Sequence, residues 1–204
     1  LNWSNVSLPS SGSWVGIAYG QRAWVIISSG GSNPSTVLVS FNDGNGWRPF
    51  ALPSSSTWVD VVYGNGKFVA VAGSTTNSAY STNSGQSWSS GSGLPNAAWI
   101  KLAYGKGAIA STGTTAAKST DGVTWTSVTL PIGSSWSDIK YGNNRFLIVS
   151  STSSKTLYSF DGTTWYQSNL AITATSLAYG QGVFVAVNSS STVAYTTEDC
   201  VIWT

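Results

Sequence analysis

Apolar and polar residues alternate in short bursts along this chain, and turn-forming residues separate the bursts. In TWVDVVY (57 to 63) and KFVAVAG (67 to 73) the period is two, and Gly64-Asn65-Gly66 stands between them. Asn-Gly between two such runs predicts a tight antiparallel hairpin, because the favoured turn needs positive φ at its central positions. SAYST (78 to 82) predicts a third strand and NSGQ (83 to 86) a second turn. SWSSGSGL (87 to 94) predicts a fourth strand that stops at Leu94-Pro95, since proline has no N–H to continue a ladder. Leu8-Pro9, Leu52-Pro53 and Leu130-Pro131 close other units in the same way, whereas Leu170-Ala171 departs from the pattern. No window carries the period of an amphipathic helix.

The same unit recurs. IAYGQRAWVII, VVYGNGKFVAV, LAYGKGAIAST, IKYGNNRFLIV and LAYGQGVFVAV place Tyr19, Tyr63, Tyr104, Tyr141 and Tyr179 at spacings of 37 to 44 residues. A second marker, Trp3, Trp47, Trp88, Trp125, Trp165 and Trp203, keeps step within the same spacings. Four antiparallel strands in each repeat of about 40 residues predict an all-β fold, a β-propeller of four-stranded blades in a single domain over residues 1–204. A β-sandwich array and another β solenoid are the competing architectures. The repeats run approximately over 13–55, 56–96, 97–133, 134–172 and 173–204. Residues 1–12 match a fourth strand with no blade before it, and the last repeat ends at Trp203-Thr204 without one. Five blades closed by that N-terminal strand are therefore expected, because a propeller must leave no raw sheet edge. Trp3 and Trp203 are copies of one position, so one of them is displaced; further repeats outside these residues would make a ring of six to eight.

The turn between the third and fourth strands is itself a motif. SFNDGNGW (40 to 47), STNSGQSW (81 to 88), STDGVTW (119 to 125) and SFDGTTW (159 to 165) share Ser, an acid or amide, Gly and Trp, and the stretch from Thr196 to Trp203 is a degenerate copy with Cys200 at the glycine. This string resembles the Asp-box, or BNR repeat, of sialidase-like β-propellers. The resemblance covers the whole chain and implies that fold, with structural roles for Ser40, Asp43, Gly44, Trp47, Ser81, Asn83, Gly85, Trp88, Ser119, Asp121, Gly122, Trp125, Ser159, Asp161, Gly162, Trp165, Asp199 and Trp203. The physical reason is local: carboxylate or amide oxygens accept N–H groups of their own turn, and Gly takes positive φ. Each indole would then bury about 150 to 250 Å² against a neighbouring blade, an upper bound of roughly 4 to 6 kcal/mol. The variants of YGNGKFVAVAG and YSTNSGQSW also look like repeat proteins of bacteriophage particles and bacterial surfaces.

Composition narrows the chemistry. Charged residues are 8% of the chain and the net charge is +2, with Lys and Arg scattered singly, so no basic stripe exists for nucleic acid. No apolar run reaches the roughly 20 residues of a membrane span, and no membrane insertion is expected. With Leu first and no Met, the sequence reads as processed, excised or part of something longer. Cys200 is the only cysteine and there is no His, which removes the commonest general base and the commonest metal ligand. Neither a metal nor a cofactor is expected.

Aligning the repeats on their tyrosines puts Trp14, Trp58, Trp99 and Trp136 five residues earlier, with Ala174 in the fifth unit. Gly16, Asp60, Lys101, Asp138 and Ser176 stand three residues before each Tyr. One reading makes the indoles an aromatic rim around the mouth of the ring, over Asp60, Lys101 and Asp138, suited to a sugar. The other makes them wedges between blades, with Asp60 and Asp138 satisfying backbone N–H groups in the channel. The sialidase resemblance would also imply three convergent arginines, a Tyr nucleophile with a Glu partner and an acid/base Asp. Arg22, Arg48 and Arg145 do not converge, and Glu198, the only Glu, falls in an Asp-box turn. A two-carboxylate glycosidase built on Asp60 and Asp138 is the surviving catalytic idea. The expectation is a non-catalytic structural or recognition module, virion-associated or on a cell surface, that binds a glycan, a receptor or other virion proteins; a free lectin is the alternative.

Overall fold

The computed structural model describes residues 4–30, 35–111, 115–168 and 173–204. Among these, every regular element is a strand, and the strands form five antiparallel sheets. The first sheet holds β1 (Trp14–Gly20), β2 (Ala23–Ser28), β3 (Thr36–Ser40) and β4 (Arg48–Ala51); the second holds β5 (Trp58–Gly64), β6 (Lys67–Ala72), β7 (Ser78–Ser81) and β8 (Ser89–Ser90). The third is built from β9 (Lys101–Gly105), β10 (Gly107–Ser111), β11 (Thr115–Ser119) and β12 (Thr126–Thr129). The fourth contains β13 (Trp136–Gly142), β14 (Arg145–Ser150), β15 (Thr156–Ser159) and β16 (Tyr166–Gln167), and the fifth β17 (Ser176–Gly180), β18 (Val183–Val187) and β19 (Ala194–Thr197).

Each sheet is a meander in chain order, and its first strand is its innermost. The blades meet along those inner strands, β1 on β5, β5 on β9, β9 on β13 and β13 on β17. Meander sheets set side by side about a common hub make a β-propeller. The hairpins at the hub take the predicted form: Asn65 and Gly66 have φ of 48° and 74°, Asn143 and Asn144 of 45° and 59°. In the first blade Gln21 and Arg22 adopt the same positive φ, a conformation that favours Gly or Asn.

The apolar cores lie between blades rather than inside them, because a single sheet has no second layer of its own to cover its faces. One core joins Val25, Ile27 and Val39 of the first blade to Trp58, Val61 and Phe68 of the second. The next joins Val69 and Val71 to Trp99, Leu102 and Trp125. A third joins Ala116 and Val128 to Trp136, Ile139 and Trp165, and a fourth joins Leu147 and Val149 to Leu177, Phe184 and Trp203.

The closing strand expected from residues 1–12 does not form over residues 4–12, which carry no strand. Trp3 lies outside the described residues. The edge it was to pair with is taken by the chain's own end: Thr196 and Thr204 exchange both backbone hydrogen bonds, at 2.8 and 2.9 Å. Trp203 is correspondingly buried in the fourth core, so it fills the repeat's tryptophan position.

Candidate functional site

The repeated Ser-acid-Gly-Trp turns are locked by their own side chains. In the third blade the Ser119 hydroxyl donates to Asp121 Oδ1 at 2.9 Å and accepts the N–H of Gly122 at 2.9 Å. The same carboxylate oxygen accepts the N–H groups of Val123 and Thr124, both at 2.8 Å. Ser159 and Asp161 repeat the arrangement with Gly162, Thr163 and Thr164. In the second blade Asn83 supplies the acceptor, to Ser81 Oγ and to the N–H of Ser87.

Two positions differ from the sequence reading. In the first blade the acceptor for the Ser40 hydroxyl is Asn42, at 2.9 Å. Asp43 is the inserted residue of the longer turn, at φ 55°, matching Ser84 of the second blade at φ 60°. In the fifth blade the motif begins at Thr197, whose hydroxyl donates to Asp199 and accepts the N–H of Cys200 at 2.9 Å. Cys200 stands at the glycine position with φ 63°. Burial pushes its thiol up to about 12, with the Arg145 charge opposing and the Asp199 charge adding.

These turns also face the preceding blade. A β-carbon on Gly85 would stand 2.9 Å from Val25, and one on Gly122 would stand 2.8 Å from Val69. Three hairpins reach the turn of the next blade: Gln21 accepts the N–H of Ser84 at 2.8 Å, Lys67 donates to the Asp121 carbonyl at 3.0 Å, and Asn143 donates to the Glu198 carbonyl at 2.9 Å. Trp125, Trp165 and Trp203 are buried in inter-blade cores and Trp88 is half-buried against the first one. Trp47, which has no blade before it, is half-buried beside Phe41 and Arg48.

At the opposite mouth the aromatic rim does not exist. Trp58, Trp99 and Trp136 are buried, each against the core of the preceding blade. The indole N–H of Trp99 donates to the Pro95 carbonyl at 3.0 Å, and that of Trp58 to the Ser54 carbonyl at 3.4 Å. Trp14 alone is half-exposed, and Gly12 packs against its ring. A register shift follows Trp14, Trp58 and Trp136 on their strands. Such bulges re-aim side chains, and nothing in the spacing announces them.

The hub acids are tied as well. Asp60 Oδ1 accepts the N–H of Val61 at 3.0 Å, and its Oδ2 accepts the N–H of Leu102, one blade on, at 3.1 Å. Asp138 repeats the staple two blades later, with Ile139 and Leu177 N–H groups both at 2.8 Å; Lys140 Nζ lies 2.8 Å from its Oδ1, and Ser176 donates to its Oδ2. Burial raises the Asp60 pKa, the Leu102 N–H and the charge of Lys101 opposing it in part. Lys101 occupies the same slot in the third blade and makes no staple of its own. Both carboxylates therefore join successive inner strands.

What the hub does offer is a groove of about 360 Å³, walled by Tyr19, Tyr63, Tyr104 and Tyr141 with Asp60 and Lys140 among them. The tyrosines first served as repeat markers; their recurrence at one position of every innermost strand was the signal that they line a shared space. Burial raises the Tyr104 phenol. Three of these rings also pack on an aromatic of their own blade, Tyr19 on Trp24 and Tyr141 on Phe146 at 4.7 Å and Tyr63 on Phe68 at 4.9 Å between centroids, which holds those phenols in place.

No protein-family model matches the chain, and no curated protein matches it. Solved β-propellers do. YCF48 bound to D1 peptide is 14% identical with a TM-score of 0.70, the alignment covering 98% of this chain and 69% of that one. Virginiamycin B lyase from Staphylococcus aureus is 12% identical with a TM-score of 0.78, covering 94% and 69%. A streptogramin B lyase is 13% identical with a TM-score of 0.79, covering 98% and 70%. At these identities the likeness is one of fold.

Proposed function

We propose that the chain is a non-catalytic recognition module, of a virion or a cell surface, that binds a receptor in the hub groove. The observation that carries this reading is the pairing of a phenol-lined groove with carboxylates already engaged by backbone N–H groups. Of the seven acids, Asp60, Asp121, Asp138, Asp161 and Asp199 accept such bonds, while Asp43 and Glu198 are exposed on the turn face. A protein segment suits the groove better than a sugar, because the indoles that would stack a sugar ring are packed between blades; phenols and an ammonium can bond the carbonyls of an extended peptide. A neighbouring fold, YCF48, is described with a bound peptide. A His-to-Ala variant of the S. aureus virginiamycin B lyase is described as catalytically inactive, and this chain contains no His.

Overlapping-peptide and glycan arrays probed with the native chain and with Lys140→Ala test the proposal. Retention of a peptide set, weakened by the substitution, is expected. Retention confined to glycans supports the lectin reading. Turnover of generic glycosides, abolished by Asp60→Asn, would overturn recognition in favour of hydrolysis.

A further inference from the structure

Four junctions between blades share one knob and one socket. A β-carbon on Gly20 would overlap the ring of Tyr63, and the same holds for Gly64 with Tyr104, Gly105 with Tyr141, and Gly142 with Tyr179. The glycine that ends each inner strand is thus the seat for the tyrosine of the next blade, and no other residue leaves room for it. Gly180, the fifth member of the series, has nothing within 4 Å of the place where its β-carbon would stand.

The rest of that face agrees. Ile27, Val71 and Val149 occupy one position of the second strand and are 0% exposed, whereas Val187, their counterpart in the fifth blade, is 43% exposed. At the other end of the array the complementary half is bare. Ile17 is 59% exposed where Val61, Leu102, Ile139 and Leu177 are at most 4%. Tyr19 is exposed, Trp14 and Trp47 are half-exposed, and Gly44 meets nothing where Gly85 and Gly122 meet the preceding blade. Among the described residues no apolar core joins the blade of β1 to that of β17.

We infer that the five blades form an open arc whose two ends are halves of one further kind of junction, filled by additional Tyr-Gly blades of the same repeat in one polypeptide with these five. The arc aligns along nearly its whole length with propellers of which it covers 69 to 70%, so the gap accommodates about two blades. A second copy of the chain would bring five blades to that space. The arriving tyrosine enters the Gly180 seat, and the last arriving glycine receives Tyr19. The first added strand also pairs with β19, continuing the ladder that Thr204 begins.

The experiment extends the chain at Thr204 with a second copy of its own residues 49–133, a fourth strand followed by two repeats. Hydrogen exchange is compared with that of the unextended chain. Amides of β1 and β17 should slow by roughly tenfold or more on extension, in a single thermal transition. Gly180→Val should cancel that protection in the extended chain and leave the unextended chain unchanged, since the site is open and its φ is not left-handed. Gly64→Val, in a filled seat, should destabilise both. Unchanged exchange at β1 and β17 on extension would overturn the inference. So would concentration-dependent self-association of the unextended chain that Gly180→Val abolishes, which would assign the seat to a second copy.

Discussion

Asp121 at the turn face and Asp60 at the hub make the same bond, carboxylate to backbone N–H, and their pKa values move in opposite directions. Asp121 is exposed, and the N–H groups of Thr124 and Val123 hold its pKa down to about 2. Asp199 is lowered by Ile202 and Val201 in the same manner. At Asp161 burial pulls upward, but the N–H groups of Thr163 and Thr164 prevail and the net direction is down. Asp60 accepts two N–H groups as well, yet burial outweighs them and its pKa is raised. Distance along the chain separates the two cases: a turn acid bonds residues two and three places on, whereas a hub acid bonds a residue in the next blade. The first shapes a loop; the second joins two blades.

The comparison is most exposed at Asp138. Asp138→Ala leaves the N–H groups of Ile139 and Leu177 without their acceptor, and buried orphan donors cost about 1 to 3 kcal/mol each. A loss of about 2 to 4 kcal/mol in denaturant unfolding is expected; a loss below about 1 kcal/mol would mean that the staple contributes no more than a turn acid. Asp60→Asn should cost less, about 1 to 2 kcal/mol, because the amide oxygen still serves one N–H while its NH₂ opposes the other. Ser119→Ala, which removes the acceptor of the Gly122 N–H inside one turn, should cost about 1 kcal/mol.

Acid separates Asp121 from Asp60 by sign. Asp121 has a folded pKa below its ordinary value of 3.8, so the stability it contributes is present above 3.8 and is lost as pH falls toward about 2. The Tm advantage of the native chain over Asp121→Asn should therefore shrink across that window. Asp60 has a raised folded pKa, so its contribution is fully present below 3.8 and declines as pH rises through the folded value. The gap between the native chain and Asp60→Asn should accordingly widen on acidification, and parallel trends in the two variants would refute the contrast. The smallest effect is kinetic. Iodoacetamide at mildly alkaline pH should label Cys200 slowly, given a thiol near 12. Asp199→Asn should speed that labelling, because it removes a charge that raises the thiol.

The fold was legible because two markers, Tyr and Trp, repeat in phase and because hairpin turns declare themselves in Gly and Asn. The turn motif was legible for the same reason, except where the chain lengthens by one residue: Asn42 and Asp43 are adjacent, and only backbone geometry decides which oxygen faces Ser40. The hub was harder. Trp58, Trp99 and Trp136 sit at the start of inner strands, where a rim residue and a wedge have the same spacing, and bulges after Trp58 and Trp136 turn the strand between indole and acid. The partners of Asp60 and Asp138 lie about forty residues away, beyond any local pattern, while the groove is a property of several repeats together.

The contacts between hairpins and neighbouring turns match the first, second and fourth blades to their successors. Gln21 matches the N–H of Ser84, Lys67 the carbonyl of Asp121, and Asn143 the carbonyl of Glu198. A recombination event that dropped the second repeat would set Gln21 against the shorter turn at Asp121, where no residue corresponds to Ser84. Though the units look interchangeable, gene-level shuffling among them is constrained by side chains at their rims, and drift at one rim calls for a matching change in the adjoining unit.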